Sequence, residues 1–416
     1  MPTFSEAATR LVFSAATRAL GEFSRATITR TPVDERTLHW EPESGELERL
    51  LSSHYPKTNQ GVATPSAGGR IDGLNSLRWC AFEAIRRATR AVPPDLNSAV
   101  NEVVSELQAF LESSLIEVSV IARVDGPLLP ELMSDPIAID SEFDLQIVRL
   151  CNELVDRFEL PAGPLGSRWL SGTFALLSKC QVPVRFGAMQ PSGTNPVWSA
   201  IKDMQGMILA LRLAVRGVVS IDSIRTKENQ FSLAIGTTMV CPEQKAAAVV
   251  PTVLDEAELD YCLQMYRRLK GGAHPVLRRA CERLAQSRLR HDHQDAILDA
   301  AIGLEAILLH GSGHQELRFR FSLHYALLGT DRLKRFNKAQ SFYDARSFIA
   351  HGEEVPRKIL VRCCGQKPSV KAVANLGQAM LQECIDHFAK DMIYPAFVEG
   401  GFWKCRELGM DSITSD

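Results

Sequence analysis

The chain has 416 residues, of which 45% are hydrophobic and 23% charged, and its formal net charge is -2. That length and composition suit a globular protein with a sizeable core and room for two domains, and the near-zero charge excludes nucleic-acid binding driven by global basicity. No apolar run reaches the roughly 18 residues of a membrane-spanning helix, so no membrane partner is expected. The ten cysteines are spread along the chain without a Cys-x-x-Cys pair, which argues against a disulfide framework or a zinc site and places the chain in the cytoplasm. No metal and no cofactor are expected.

The first 30 residues carry Arg10, Arg18, Arg25 and Arg30 among Ser, Thr and Ala. Glu6 and Glu22 oppose a transit peptide, and Leu11, Val12, Ala15, Leu20 and Phe23 mark an amphipathic helix instead. Residues 31–75 are loop-rich around Thr64-Pro65-Ser66-Ala67-Gly68-Gly69, with a short helix near Glu46 to Ser53. Helical spacing returns at 76–91 and 96–113. Leu115 to Ala122 is β-branched and reads as a strand. Ile137-Ala138-Ile139, 180–187 and 230–240 are further strand candidates, and 141–156 has helical spacing. Trp198 to Arg216 is a helix stopped by Gly217. No phosphate loop, dinucleotide glycine pattern or nucleophile elbow occurs.

From 255 onward the pattern is helical, with helices expected at 256–270, 275–290, 293–310, 315–329, 332–351 and 370–391. Glycines at 271–272, 311, 313, 329 and 352 supply the stops, and Thr330 and Asp331 supply a cap. The fold class is therefore α+β. A mixed α/β N-terminal domain over 1–250 precedes an all-α helical-bundle domain over 251–400 and a tail over 401–416. Eight of the ten histidines lie in this half, and residues 265–340 hold fourteen Lys and Arg against seven Asp and Glu, a local +7 in a chain of net -2. A basic face of this kind suits a polyanion; solvated helix faces explain the same charges.

An arginine followed five residues later by a histidine occurs at Arg49–His54, Arg288–His293 and Arg346–His351. Context separates the three. The first lies beside a loop and the second crosses a helix boundary. At about 100° per residue, the third puts Arg346 and His351 on either side of a stripe floored by Ser347 and Ala350, with Tyr343 one turn before. Such a groove has a cation on one wall and a titratable ring on the other. An imidazole can move a proton near neutral pH, and a guanidinium can hold a phosphate. Glu305 lies on an apolar helix side and needs a cation, which Arg346 or Arg320 can supply. Arg320 and His324 share a stripe with Leu317, Phe321 and Leu328. An internal ion pair and a satisfied core histidine account for these residues equally well.

Three segments in order carry a resemblance. Asp295-Ala-Ile-Leu-Asp299-Ala-Ala-Ile-Gly-Leu-Glu305, the Arg318-Phe319-Arg320 helix, and Phe342-Tyr343-Asp344-Ala345-Arg346-Ser347-Phe-Ile-Ala-His351-Gly352 resemble the ApeA-like branch of the HEPN superfamily. The likeness covers roughly 255–395. Ile116 to Pro130, and Ala210 to Leu213 followed by Gly217-Val218-Val219, are similar to the region often joined to it. The resemblance implies a helical bundle that forms a homodimer, in which two Arg-x4-His motifs make one metal-independent endoribonuclease site. Arg346 and His351 are then catalytic, Ser347, Glu305, Arg320, His324 and Tyr343 support them, and Arg318, Lys334 and Arg335 contact RNA. The expected partners are an RNA substrate, a second copy, and a phage-derived trigger or inhibitory partner, since relatives act in antiphage defence and abortive infection. The alternative implied by the same family is a non-catalytic module that binds a nucleotide or a protein.

Overall fold

A computed structural model describes residues 3–22, 41–55, 62–63, 68–69, 73–91, 93–113, 115–130, 135–141, 144–158, 160, 172–183, 185–186, 196–215, 219–228, 237–239, 252–271, 273–311, 316–389 and 402–407. The architecture is α+β, a small antiparallel sheet in a mostly helical protein. Helices α1 (Phe4–Glu22), α2 (Glu41–His54), α3 (Gly73–Arg90) and α4 (Leu96–Glu112) pack on one another at the start of the chain. Helix α4 starts where the Asp95 carboxylate accepts the Ser98 N–H at 3.1 Å. It buries Val100, Val103, Val104, Leu107, Phe110 and Leu111, the face its spacing predicts. The short strands β1 (Val62–Ala63) and β2 (Gly68–Gly69) lie between α2 and α3.

The central sheet is built on β3 (Leu115–Asp125). After it come β4 (Pro127–Leu128), β5 (Ile137–Asp140), β6 (Leu145–Arg149), the helix α5 (Asn152–Phe158), β7 (Phe174–Pro183) and β8 (Arg185–Phe186). Helix α6 (Pro196–Ala214), β9 (Ser220–Glu228), β10 (Thr237–Met239) and β11 (Thr252–Val253) complete this part. Among the described residues the sheet has six antiparallel strands in the order β10-β9-β3-β7-β6-β5. Alternation sorts its side chains. Ile116, Val118, Val120, Ala122 and Val124 of β3 enter the large core, while Ile121 joins Val148, Phe158, Leu160 and Ala175 in a small cluster on the other face.

The helical half comprises α7 (Glu256–Lys270), α8 (Pro275–Leu289), α9 (His293–Leu308), α10 (Leu317–Leu327), α11 (Arg332–Ala350), α12 (Arg357–Cys364), α13 (Val370–Phe388) and α14 (Phe402–Glu407). Asp255 and Glu258 form a reciprocal capping box at the start of α7. Helices α9, α11 and α13 meet in the bundle interior, and glycines set how closely. A Cβ on Gly377 would come within 2.4 Å of the Phe342 ring, and one on Gly303 within 2.5 Å of Leu381.

The sheet and the bundle share one continuous apolar core through α6. That helix packs on β7 and β3 on one side and on α7 and α8 on the other. From Gly206 to Val215 none of its residues is exposed. Its last carbonyls lack intrahelical partners in a half-buried to buried stretch and need donors. Arg288 supplies them: its Nη1 donates to the carbonyls of Arg212 at 2.6 Å and Leu213 at 3.0 Å, and its Nη2 donates to Gln382 at 2.8 Å. Lys270 makes a second link, bridging Asp140 of β5 at 2.6 Å and Asp203 of α6 at 3.1 Å.

Several expectations change. Residues 145–149 form β6 and only 152–158 are helical, because β6 is an inner strand whose apolar residues go to both faces and so lack a strict period of two. The strand Ser220–Glu228 and the helix Arg357–Cys364 were not expected; the latter is only eight residues long and buries only Ile359. Within the tail, 402–407 is helical and packs Phe402 and Trp403 into the core. Asp331 stands at the start of α11 but its side chain makes no capping bond. Parts of other expected segments, among them 23–40, 216–218 and 230–236, lie outside the described residues.

Replacing Arg288 by Met keeps the stem's volume but removes the donors at the buried end of α6. The change is expected to destabilise the protein by about 1–3 kcal/mol, the cost of unsatisfied buried acceptors. Denaturant unfolding measures it, and an unchanged midpoint contradicts the link.

Candidate functional site

Helix α11 is held on several sides, which fixes the direction of its polar stripe. Phe342, Ala345 and Ile349 are buried, with Phe342 pressed on Gly377. The Arg335 guanidinium lies over the Tyr325 ring at 4.1 Å, donates to the Tyr325 carbonyl and pairs with Glu383 of α13 at 2.6 Å. Asp344 accepts from Nε and Nη2 of Arg318 from α10, at 2.6 and 2.7 Å, and Arg362 of α12 approaches the same carboxylate at 4.0 Å.

The end of α11 follows from Gly352. Its φ of +74° is open to glycine at little cost. It lets the Gly352 N–H donate to Ile349 and the Glu353 N–H to Phe348, at 3.0 and 2.9 Å, a Schellman closure. His351 is thereby the C-cap residue, with its N–H on the carbonyls of Ser347 and Phe348 and its ring side exposed.

Arg346 turns the other way, toward α9. Its Nη2 lies 3.1 Å from Glu305 Oε1 and 3.3 Å from Oε2, and its guanidinium carbon is 5.6 Å from the centre of the Tyr343 ring. The Tyr343 ring in turn rests 5.2 Å from Phe321. Burial raises Glu305 above the ordinary carboxylate range, against the opposing pull of Arg346. Burial also raises Tyr343, helped by the Glu305 charge. Arg346 Nε is buried and has no acceptor among the described residues. Between Arg346 and His351 lie Ser347, half-buried, and Ala350, exposed. The two ends of the motif are about 7.5 Å apart along the axis, at 1.5 Å per residue.

The structure thus brings Glu305, Tyr343 and Arg346 into one cluster, with Ser347 and His351 on the adjoining turn. Arg346, rather than Arg320, is the cation that meets Glu305. Arg320 is half-buried and has no ion pair among the described residues. His324 does not join the cluster. It is fully buried, stacked on Trp403 at 4.3 Å, with Nδ1 on the Leu308 carbonyl and Nε2 2.7 Å from Glu407. Both ring nitrogens are engaged, so this is a satisfied core histidine. The three expected RNA contacts separate too. Arg318 and Arg335 are engaged by Asp344 and Glu383 and serve to seat α11. Lys334 is exposed but sits about 180° around α11 from Tyr343.

The two rival motifs are placed differently, although Arg288 and His293 line one cavity with Gln378, Gln382, Asp386 and His387. Arg49 donates to Gly45 in its own helix, and the His54 ring meets Phe4. Arg288 is committed to the end of α6. The residue that sequence reasoning missed is Asp344, whose acid on the exposed side of a basic helix hairpin was the available signal.

Comparison with known family models, with curated proteins and with solved structures finds no match to this chain.

The raised Glu305 gives a signed expectation. The folded state binds its proton more tightly than the unfolded chain does. The stability this contributes is complete below the ordinary carboxylate range and is lost as pH rises through Glu305's raised value. Relative to Glu305→Gln, the wild type is expected to lose stability across that window. Denaturant titrations of both proteins over a pH series measure this; a difference that stays constant with pH contradicts it.

Proposed function

We propose that the protein is a metal-independent endoribonuclease of HEPN type, acting in the cytoplasm as a homodimer in which two α11 ends face one another. The observation that carries this reading is the disposition of the last turns of α11. An inward arginine is positioned by Glu305 and Tyr343, an exposed histidine caps the helix, and only Ser347 and Ala350 stand between them. His351 takes the proton of a ribose 2′-hydroxyl as that oxygen attacks the adjacent phosphorus. The P–O5′ bond breaks, and the leaving oxygen takes a proton from the imidazolium form of His351 in the second copy, which is left neutral. Arg346 holds the non-bridging oxygens as charge builds on them. The products are a 2′,3′-cyclic phosphate and a 5′-hydroxyl. Glu305 and Tyr343 are positioning residues, because they act through Arg346.

In a cell, such an activity would halt growth by destroying RNA, which suits defence against phage and control by a trigger or an inhibitory partner. The division into a sensing region over 1–250 and a catalytic bundle over 251–400 belongs to the same proposal. One observation favours the non-catalytic alternative: Arg346 is already neutralised by Glu305, as in an internal structural pair.

The test is cleavage of total RNA by the purified protein, with and without chelator, followed by end mapping. His351→Ala is expected to lower cleavage by about 10²- to 10⁴-fold, the usual range for a lost proton-transfer group. Its thermal midpoint should not move, since the side is exposed. Arg346→Ala is expected to abolish cleavage, and Arg346→Lys to restore only part of it. Wild-type rates in both His351→Ala and Arg346→Ala, or ends without a cyclic phosphate, would overturn the reading in favour of the binding module.

A further inference from the structure

The outer side of the α10–α11 hairpin carries apolar groups that the core does not use. Phe319 is 50% exposed and Leu333 73%. The Phe319 ring meets Phe336 edge to face, with centroids 5.7 Å apart and planes at 65°. Phe336 is half-buried and so braces one edge of Phe319 while leaving that ring open to solvent. A braced, exposed aromatic face is unfavourable in water and costs little further entropy when something stacks on it.

Position relates this pair to the candidate site. On α11, Phe336 and Leu333 fall at about 20° and 80° from Tyr343, and Ser347 and His351 at about 40° and 80°. The aromatic pair is thus on the same side of the helix as the polar stripe. Phe336 precedes Ser347 by eleven residues, about 16 Å along the axis at 1.5 Å per residue.

Charge selects the occupant. From Glu316 to Lys371 there are twelve Lys and Arg against five Asp and Glu, a net of +7 in a chain of net -2. Arg332 is exposed at the start of α11, and Arg318 and Arg362 share the single carboxylate of Asp344. A polyanion complements this charge, and an aromatic ring among cations is the arrangement that holds unpaired bases, each of which offers a π-face. A duplex hides those faces inside its own stack.

We propose that Phe319, braced by Phe336, is a stacking anchor for an unpaired nucleotide, its brace lying roughly 16 Å along α11 from Ser347. The anchor makes the preferred ligand a single-stranded RNA segment long enough to reach from Phe319 to the end of α11. The inference rests on the ribonuclease reading for the identity of the strand as substrate, but not for its binding.

The experiment measures binding apart from cleavage. A fluorescent unpaired oligoribonucleotide with 2′-O-methyl groups, which cannot supply the attacking hydroxyl, is titrated at low salt and followed by anisotropy. Phe319→Ala is expected to weaken binding by about 5- to 150-fold, the factor equivalent to ~1–3 kcal/mol of stacking per base. Phe319→Trp should retain affinity and show emission quenched on binding, whereas Phe319→Leu should behave like Phe319→Ala. The matching RNA duplex should bind more weakly than the unpaired strand and respond less to these changes. Unchanged affinity in Phe319→Ala overturns the anchor, as does full affinity in Phe319→Leu or no binding by the wild type. A Phe319→Ala protein that binds RNA normally but loses self-association or attachment to anionic vesicles assigns the face to a second copy or a membrane instead. The two readings fail separately. RNA cleavage with no Phe319 effect removes the anchor alone, and a Phe319 effect without any cleavage removes the ribonuclease alone.

Discussion

The buried end of α6 is the constraint on which the two halves of this protein depend. A helix that gives one face to a sheet and another to a helical bundle ends in carbonyls without intrahelical partners, and acceptors shielded in that position need donors. Arg288 of α8 meets them and also reaches Gln382 of α13. One side chain therefore ties the last turn of the sheet's covering helix to two helices of the bundle. Lys270 adds a second tie to the far strand of the sheet through Asp140. Both ties are charge-assisted and partly shielded, so they fix orientation as well as adding stability.

The candidate site inherits its geometry from this packing. Helices α9 and α11 are brought together against α13 at glycines, where a single added Cβ would force them apart. That approach is what allows Arg346 to reach Glu305 across the helix pair. The ion pairs of Asp344 and Glu383 then stop α11 from rotating about its own axis, and Gly352 ends the helix one residue after His351. The inward direction of Arg346 and the outward direction of His351 are two consequences of the same fixed helix. The Glu305–Arg346 pair also sets an electrostatic balance. Burial favours a neutral carboxyl and the guanidinium favours a charged one, so small changes around the pair shift how firmly the arginine is held.

Local signals were enough to define much of this protein. Helices α4, α7, α8, α9 and α13 stand close to where apolar spacing puts them, because each buries one stripe. Strand β3 is likewise evident from its β-branched run. Strand β6 and helix α12 were not legible: the first gives apolar residues to both sheet faces, and the second has only eight residues, below the length at which an apolar run separates helix from strand.

The site divides in the same way. The sequence alone determines that Arg346 and His351 flank a narrow stripe on one helix, since 3.6 residues per turn decide that, and that Gly352 closes the helix behind them. Tertiary structure decided the rest. It chose Arg346 over Arg320 as the partner of Glu305, and turned Arg318 and Arg335 from free cations into struts. It enclosed His324 beneath Trp403 and committed Arg288 to a helix end. The physical reason is that a charged side chain's role is set by what lies within a few ångströms of it across helices, and sequence periodicity specifies only the face from which it departs.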